Sequence, residues 1–525
     1  MMDRREKIDV LFVIPPYHHR IGSGSFFPLG ISSIIACLEE SGYTWAYIDC
    51  TRIIDSLDDL SLGELDYIFP EQLKHYDPII VGIGPCVTPG VKGLKVVARH
   101  CIDQFGVEKV FAGGPFASLP SQDWFFYEHL KLKYLIKGEG EKAVCEAVKT
   151  LKSGQRLSEC RSVSFPGRQV MNSLEDLDSI PFPKRLELED NRLSDRRREE
   201  KSQRKQQEQQ KQSGIPDLSE QGLVAQIVAS RGCPYKCAYC VSGNMKVRFR
   251  KRSAKNIVEE MKILSVRYGV KDIVFYDDCF FTSISTVHKE IAEFCGALST
   301  IKTNIRWQIE IRPDIITEIS DSEFKLLETS GCRQMNIGVE RTDQNGAEIF
   351  GKRYSFEKLK DTIQRIHQCC DIRVTGTFIL GGKDQRIENV RQMIQRSKMI
   401  GLDDAEFSPL FVYPDTPIYK EVFKSPREWL DVVLSDKNPW GEVVYENENL
   451  NENQLVDLMR EAYEYFHGNG NEKGIRSNES SESVDYNEHS HTTDHLADRY
   501  HLKGNKKQNM DGNNKDKRKG SALKR

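Results

Sequence analysis

Two stretches of this chain alternate short apolar runs with longer segments whose apolar residues recur at helical spacing. In the first, residues 8–152, the apolar runs Asp9–Ile14, Trp45–Asp49, Ile79–Gly84, Lys109–Ala112 and Lys133–Ile136 read as strands. Between them, Pro28–Ser41, Gly90–Phe105 and Glu141–Leu151 carry the 3.6-residue period of helices. The second, residues 223–424, repeats the scheme with Leu223–Ala229, Asp272–Tyr276, Ile305–Ile311, Gln334–Val339, Arg373–Leu380 and Ala405–Pro409. Strands that alternate with helices in this way pair in parallel, because each crossover brings the chain back to the same end of the sheet.

The pattern predicts an α/β protein. A doubly wound parallel sheet of flavodoxin-like or Rossmann-like kind comes first, followed by a partial (β/α)6 TIM-like barrel open on one side. Residues 153–222 form a connector, in which Arg196 to Lys211 is almost wholly Arg, Lys, Glu and Gln and has too few apolar side chains to bury. Residues 425–467 read as a small helical region, with a helix over Asn451 to Phe466. Residues 468–525 are Asn, Ser, Glu, Lys and His with almost no apolar content, and are predicted to be a disordered tail.

Composition narrows the class. The chain has 525 residues, enough for two or three domains, and a formal net charge of −3. No global field argues for nucleic acid, and no apolar run approaches a membrane span. The charged start, Met1 to Lys7, runs straight into the first strand, so no signal peptide is expected. Fourteen scattered cysteines suit a reducing compartment rather than a disulfide scaffold, and the expected location is the cytoplasm.

One cysteine group stands out. Ser230-Arg231-Gly232-Cys233-Pro234-Tyr235-Lys236-Cys237-Ala238-Tyr239-Cys240 sets three thiols at CxxxCxxC spacing directly after the first barrel strand. A structural zinc site needs a fourth ligand, for which Cys279 is the obvious candidate. Three thiolates can instead hold three irons of a 4Fe-4S cluster and leave the fourth iron open to a non-protein ligand. The motif, with Tyr239 just before the last Cys, resembles that of the radical S-adenosylmethionine (SAM) superfamily. That resemblance implies that Cys233, Cys237 and Cys240 carry the cluster and that its open iron chelates SAM. Strand ends that follow would complete the SAM pocket: Asp278 after the second strand, Arg312 after the third, Glu340 after the fourth, and Gly376 and Ile379 on the fifth. The fifth-strand loop departs from the family's frequent Gly-x-Pro-x-Glu-Thr, reading Gly382-Lys383-Asp384-Gln385. Pro414 to Tyr419 resembles the segment that closes the barrel in cobalamin-dependent relatives.

The first region matches neither GxGxxG nor a P-loop. Its loops Phe27-Pro28-Leu29-Gly30, Val81-Gly82-Ile83, Gly113-Gly114-Pro115 and Gly138-Glu139-Gly140-Glu141 together resemble the cobalamin-binding domain that precedes many radical SAM barrels. Gly84, Gly113, Gly114 and Gly138 are the expected contacts, since a Cβ would hold a flat corrin off the sheet edge. The nearest match to the cobalt-ligating Asp-x-His-x-x-Gly is Tyr17-His18-His19-Arg20-Ile21-Gly22, with Tyr in place of the Asp that fixes the tautomer. His19 is accordingly read as a cleft-lining loop histidine in preference to a cobalt ligand.

The resemblance implies a cobalamin-dependent radical SAM enzyme, most naturally a methyltransferase acting on an unactivated carbon of a small, natural-product-like molecule. An electron donor such as flavodoxin or ferredoxin would serve it. The rivals are a cobalamin-dependent cyclase or rearrangement enzyme that transfers no methyl group, and a non-catalytic cobalamin-binding sensor. Three cysteines at ligand spacing argue against the sensor.

Overall fold

A computed structural model describes residues 5–17, 27–54, 57, 59–189, 223–245, 247–301, 304–435 and 445–468. His19, the charged run from Arg196 to Lys211 and the tail from residue 469 onward lie outside the described residues.

The first sheet has six strands: β1 (Glu6–Ile14), β2 (Trp45–Asp49), β3 (Tyr76–Ile83), β4 (Val110–Gly113), β5 (Tyr134–Gly138) and β6 (Met171–Asn172). Their order is β2-β1-β3-β4-β5-β6, and every pairing is parallel. In β1 seven consecutive residues, Ile8 to Ile14, are buried, as expected of a central strand covered on both faces. On one face Val10, Phe12 and Ile14 pack with Ile31, Ile35, Val144 and Val148 of helices Leu29–Glu40 and Glu141–Lys152. On the other, Leu11 and Val13 pack with Leu65, Phe69, Val97 and Cys101 of helices Asp59–Leu73 and Val91–Phe105. The buried Asp9 inside β1 accepts hydrogen bonds from Lys152 Nζ (2.8 Å) and the Thr44 amide (2.9 Å), and these hold its carboxyl below the usual carboxylate range against the burial that opposes them.

The second sheet begins with β7 (Leu223–Ile227). After a short antiparallel pair, β8 (Ser230–Arg231) and β9 (Arg250–Lys251), it continues through β10 (Val270–Phe275), β11 (Arg306–Ile311), β12 (Cys332–Glu340), β13 (Arg373–Leu380) and β14 (Asp404–Pro409). These six lie side by side in chain order, all parallel, as a curled half-barrel. Their burial differs from that of β1. In β11, Trp307, Ile309 and Ile311 are buried against the helices, while Arg306, Gln308 and Glu310 face the other way and are only half-buried. The register carries that face across the sheet, because Glu310 stands opposite Asn336, Asn336 opposite Thr375, and Thr377 opposite Glu406. The half-barrel is therefore apolar on its convex side and polar on its concave side.

The expected strands and helices are all present. Helix Asp59–Leu73, which carries Gly63 and Pro70, was not expected from the pattern. The region after β14 serves two partners. Helix Pro426–Leu434 buries Trp429, Leu430 and Val433 in the core of the first sheet, with Trp429 5.9 Å from Phe116. Helix Glu452–His467 packs on β14 and helix Ile387–Met399. No described helix is long and apolar enough to cross a membrane.

Candidate active site

Parallel strands deliver all their C-terminal loops to one edge, and here the two such edges border a common cavity of about 370 Å³. From the first sheet come Gly30, Gly82, Gly84, Gly113, Gly114, Ser118, Gly138, Glu139 and Glu141. From the half-barrel come Val228, Arg231, Gly232, Ser242, Tyr276 and Asp278. Of the residues singled out for a corrin, Gly84, Gly113, Gly114 and Gly138 all line it.

The reason for those glycines is more local than expected. A Cβ on Gly114 (φ +118°) would lie 2.6 Å from the Cys86 amide nitrogen, and one on Gly138 (φ +76°) would meet the Asn172 carbonyl. One on Gly84 would lie 2.8 Å from the Gly113 carbonyl. The chain's own backbone thus forbids side chains at these points, and the open wall follows from that. Ser118, unmarked in the sequence reading, ties two of the loops together: its Oγ accepts from the Gly138 amide (2.8 Å) and donates to the Gly114 carbonyl (2.9 Å). Gly30 is the counter-example, with nothing within 4 Å of an added Cβ.

The cysteine loop leaves β8 beside this cavity. Asn244 Nδ2 donates to the Cys237 carbonyl (2.9 Å) and the Cys240 carbonyl (2.7 Å), closing the loop on itself. Gly243 permits that closure, since a Cβ there would overlap the Tyr235 carbonyl. A Gly-Asn pair just past the last Cys was the available signal for this role. Burial pushes the Cys233 thiol up to about 11 and raises that of Cys240 as well. Buried thiols of this kind become thiolates when a cationic metal centre compensates them. Cys279 is turned elsewhere, its Sγ donating to the Phe281 carbonyl at 2.8 Å. No group of three or more His, Cys, Asp or Glu among the described residues is arranged to hold a metal ion. By chemistry, three thiols on one loop are a donor set that suits three irons of a 4Fe-4S centre.

Around the loop stand the expected polar partners. Arg312 donates from Nη1 to Cys237 Sγ (3.4 Å), clamps Asp314 with two bonds of 2.9 and 3.0 Å, and lies 3.7 Å over the Tyr235 ring. Glu340 accepts from Tyr239 Oη at 2.8 Å and faces Lys352 Nζ at 3.5 Å. Its backbone is left-handed (φ 64°), a strained state for a glutamate. Burial, with the Glu340 carboxylate adding to it, raises the Tyr239 hydroxyl well above its ordinary value, so the proton stays on the phenol. Asp278 accepts from Ser242 Oγ (3.0 Å), and the cavity walls hold its carboxyl above the ordinary value. Arg312 and Glu340 thus each carry an ion pair as well as their place at the loop.

The fifth strand divides its two candidates. Ile379 is on the concave side, opposite Ser408. At Gly376 an added Cβ would lie 2.5 Å from Leu402 Cδ1 on the helix-covered side, so the absence of a side chain there makes room for core packing. The divergent loop after β13 has a structural explanation. Asp384 accepts two 3.0 Å hydrogen bonds from the buried Arg341, whose guanidinium also holds Asp343. Gln385 Oε1 accepts from the Gly381 and Gly382 amides. The loop braces Arg341, the residue after Glu340. The closing segment reaches the cysteine loop directly, through an Ile418 amide donated to the Ala238 carbonyl (3.3 Å).

The sequence model described as the Radical SAM superfamily matches residues 227–396, which span the half-barrel from the end of β7 into the helix after β13. An uncharacterized methyltransferase of Pyrococcus horikoshii is 24% identical over 476 residues, covering 87% of this chain and 92% of its own. The anaerobic magnesium-protoporphyrin IX monomethyl ester cyclase of Cereibacter sphaeroides is 21% identical over 474 residues, covering 87% of this chain and 70% of its own. Among solved structures, the radical SAM methyltransferase TsrM from Kitasatospora setae, with cobalamin and a 4Fe-4S cluster bound, superposes with a TM-score of 0.59 at 20% identity. That match covers 88% of this chain and 83% of the other. With its cysteine loop at the mouth of the half-barrel and a doubly wound sheet facing it, the chain carries over residues 227–396 a segment that matches the radical SAM superfamily, and it has the fold of the cobalamin-bound methyltransferase TsrM.

Proposed function

We propose that this protein is a cobalamin-dependent radical SAM methyltransferase acting on an unactivated carbon of a small molecule. The observation that carries the reading is the single cavity walled on one side by Gly84, Gly113, Gly114 and Gly138 and on the other by Asp278, Ser242 and the start of the cysteine loop. A planar cofactor held on the first sheet would there border the same space as SAM bound beside the cysteine loop. When bound, the cluster and the corrinoid would supply electron transfer to SAM and a transferable methyl group.

The chain's own residues bind and orient. Cys233, Cys237 and Cys240 would hold the metal centre, and Asn244 fixes the carbonyls of Cys237 and Cys240. Arg312, pinned by Asp314, places positive charge against Cys237. Asp278 and Glu340 offer carboxylates to the hydroxyls and ammonium of SAM, with Tyr239 holding the second of them. A flavodoxin- or ferredoxin-like donor and a cytoplasmic setting belong to the same proposal.

Similarity to the cyclase of Cereibacter sphaeroides supports a second reading, ring closure with no methyl transferred. Anaerobic turnover separates the two. Methyl transfer yields 5′-deoxyadenosine and S-adenosylhomocysteine in about equal amounts once substrate is present, because one SAM is cleaved and another donates the methyl group. Ring closure yields 5′-deoxyadenosine without the homocysteine product, and that outcome would remove methyl transfer from the proposal.

A further inference from the structure

Four buried or half-buried charges bridge the cavity wall and the cysteine loop, and the cofactor contacts proposed above use none of them. Glu139 and Glu141 belong to the loop after β5, where both line the cavity. Arg231 and Arg250 stand opposite each other in the β8–β9 pair, and Arg231 is two residues before Cys233. Arg250 grips Glu139 with Nη2 to Oε1 at 2.6 Å and Nη1 to Oε2 at 2.9 Å, and also donates to Ser173 Oγ at 2.9 Å. Arg231 Nη2 donates to Glu141 Oε1 at 2.5 Å, with Nη1 3.9 Å from Glu139. Glu141 is 1% exposed and Glu139 8%.

Charges so deeply placed are costly unless paired, and apolar side chains would stabilise a plain packing contact at least as well. Their arrangement also leaves little slack. At Gly232 (φ +76°) a Cβ would lie 3.2 Å from both the Val247 and the Arg248 carbonyls, so the start of the cysteine loop runs close against the segment that leads into β9 and Arg250. A displacement of Glu139 or Glu141 by an occupant of the cavity would reach the two arginines that they pair with, and through Arg231 the loop bearing Cys233.

We infer that Glu139 and Glu141, with Arg231 and Arg250, are positioning residues that couple occupancy of the cavity to the geometry of the cysteine loop. This rests on the functional reading above, with cobalamin as the occupant and SAM at the cluster as the group that senses it. Coupling of this kind is reciprocal: if cobalamin tightens SAM, SAM tightens cobalamin by the same factor.

The test uses full-length protein with its cluster reconstituted anaerobically. The dissociation constant of SAM is measured with and without saturating cobalamin, alongside the electron paramagnetic resonance signal of the reduced cluster. In the wild type, cobalamin is expected to tighten SAM about tenfold, within the usual span of such couplings, and to shift the signal. In Glu139→Gln, which keeps shape and removes charge, the effect is expected to fall to about twofold or less while cluster iron and cobalamin loading persist. Arg250→Lys keeps charge but loses the two-pronged grip, and is expected to fall between the two. It also serves if Glu139→Gln fails to load. A purely structural role would lower melting temperature and leave the coupling factor intact. Wild-type coupling retained in both variants overturns the inference, as does a wild type that binds cobalamin with no effect on SAM. A wild type that binds no cobalamin at all overturns the functional reading, and the inference with it.

Discussion

Gly30 offers the sharpest test of where the planar cofactor sits. It is the second residue of helix Leu29–Glu40, is exposed, and has no atom within 4 Å of an added Cβ, yet it lines the 370 Å³ cavity. Gly30→Leu therefore adds bulk to the cavity without pressing on the fold. Replacing glycine in the first turn of a helix by leucine should stabilise the protein by about 0.5 kcal/mol or less, since the full penalty of about 1 kcal/mol holds for helix interiors. Overfilling a site shaped for a ligand typically costs about 1–3 kcal/mol, which is roughly 5- to 150-fold in cobalamin affinity. Stability and binding should thus move in opposite directions. Gly114→Ala makes the contrast, because its Cβ would press on Cys86 from a backbone at φ +118°, and should lose about 1–3 kcal/mol of stability outright. Gly296→Leu, on an exposed helix face with equally free space, is the control that should gain stability with binding unchanged. Thermal melts and equilibrium titration of cobalamin read both quantities. Wild-type cobalamin affinity in Gly30→Leu would mean that the cavity is not the corrin site.

Two further outcomes follow from the site. Replacing Cys233, Cys237 and Cys240 together by Ala should abolish iron after anaerobic reconstitution, since Cys279 already donates to Phe281 and is not free to substitute; full iron content in the triple variant would sink the cluster assignment. On the concave face, burial first and then Glu406 and Glu340 push the Glu310 carboxyl up to about 7 from 4.5. The folded state holds that proton more tightly than the unfolded chain, so the stabilisation is complete below about 4.5 and is lost as pH rises through about 7. Wild-type stability should fall by about 2 kcal/mol more than that of Glu310→Gln between pH 5 and pH 8, as urea unfolding would measure, and equal pH dependence in the two would refute the assignment.

Most of the fold was legible because both sheets are built from strands with strong apolar signals. Seven buried residues in a row in β1 and the strict alternation of Arg306-Trp307-Gln308-Ile309-Glu310-Ile311 are visible in the sequence. That alternation, unusual in a parallel strand, also announced a sheet with one uncovered face. Helix Asp59–Leu73 escaped because Gly63 and Pro70 interrupt it, although Leu65, Phe69 and Leu73 keep the four-residue spacing of a buried stripe. The three cysteines stand out in the sequence by their spacing, and their reading as cluster ligands comes from the family resemblance. The packing role of Gly376 was not legible, because a glycine on a barrel strand looks the same whether it opens the concave face or admits Leu402 behind it. Arg341, Gly243 and Asn244 were hidden for a different reason: each acts on a backbone or a carboxylate brought near by folding, and neighbours in sequence do not reveal those partners.

The polar lining of the half-barrel bears on what a radical reaction asks of its protein. Hydrogen abstraction and methyl delivery need no general base, so the concave residues are free to serve orientation alone. Gln334 donates to Asn336 at 2.7 Å, and Asn336 donates to Glu310 at 2.9 Å, which fixes the amides in one direction across two strands. Such a relay costs little to organise at the moment of reaction, because its dipoles are already aligned by the β-ladder. Glu310 sits at its end, with Tyr276 close enough for their charges to interact, and Tyr276 in turn lines the cavity shared with the first sheet. A small molecule placed between the two sheets would thus meet aligned hydrogen-bonding groups on the barrel side and bare glycine backbone on the other. That asymmetry suits a reaction in which one partner must be held still while a flat cofactor approaches it closely. The reacting atoms then need only be kept within about 3–3.5 Å of one another, which is a demand on rigidity that two brace systems, Arg341 behind Glu340 and Asn244 beneath the cysteines, are placed to meet.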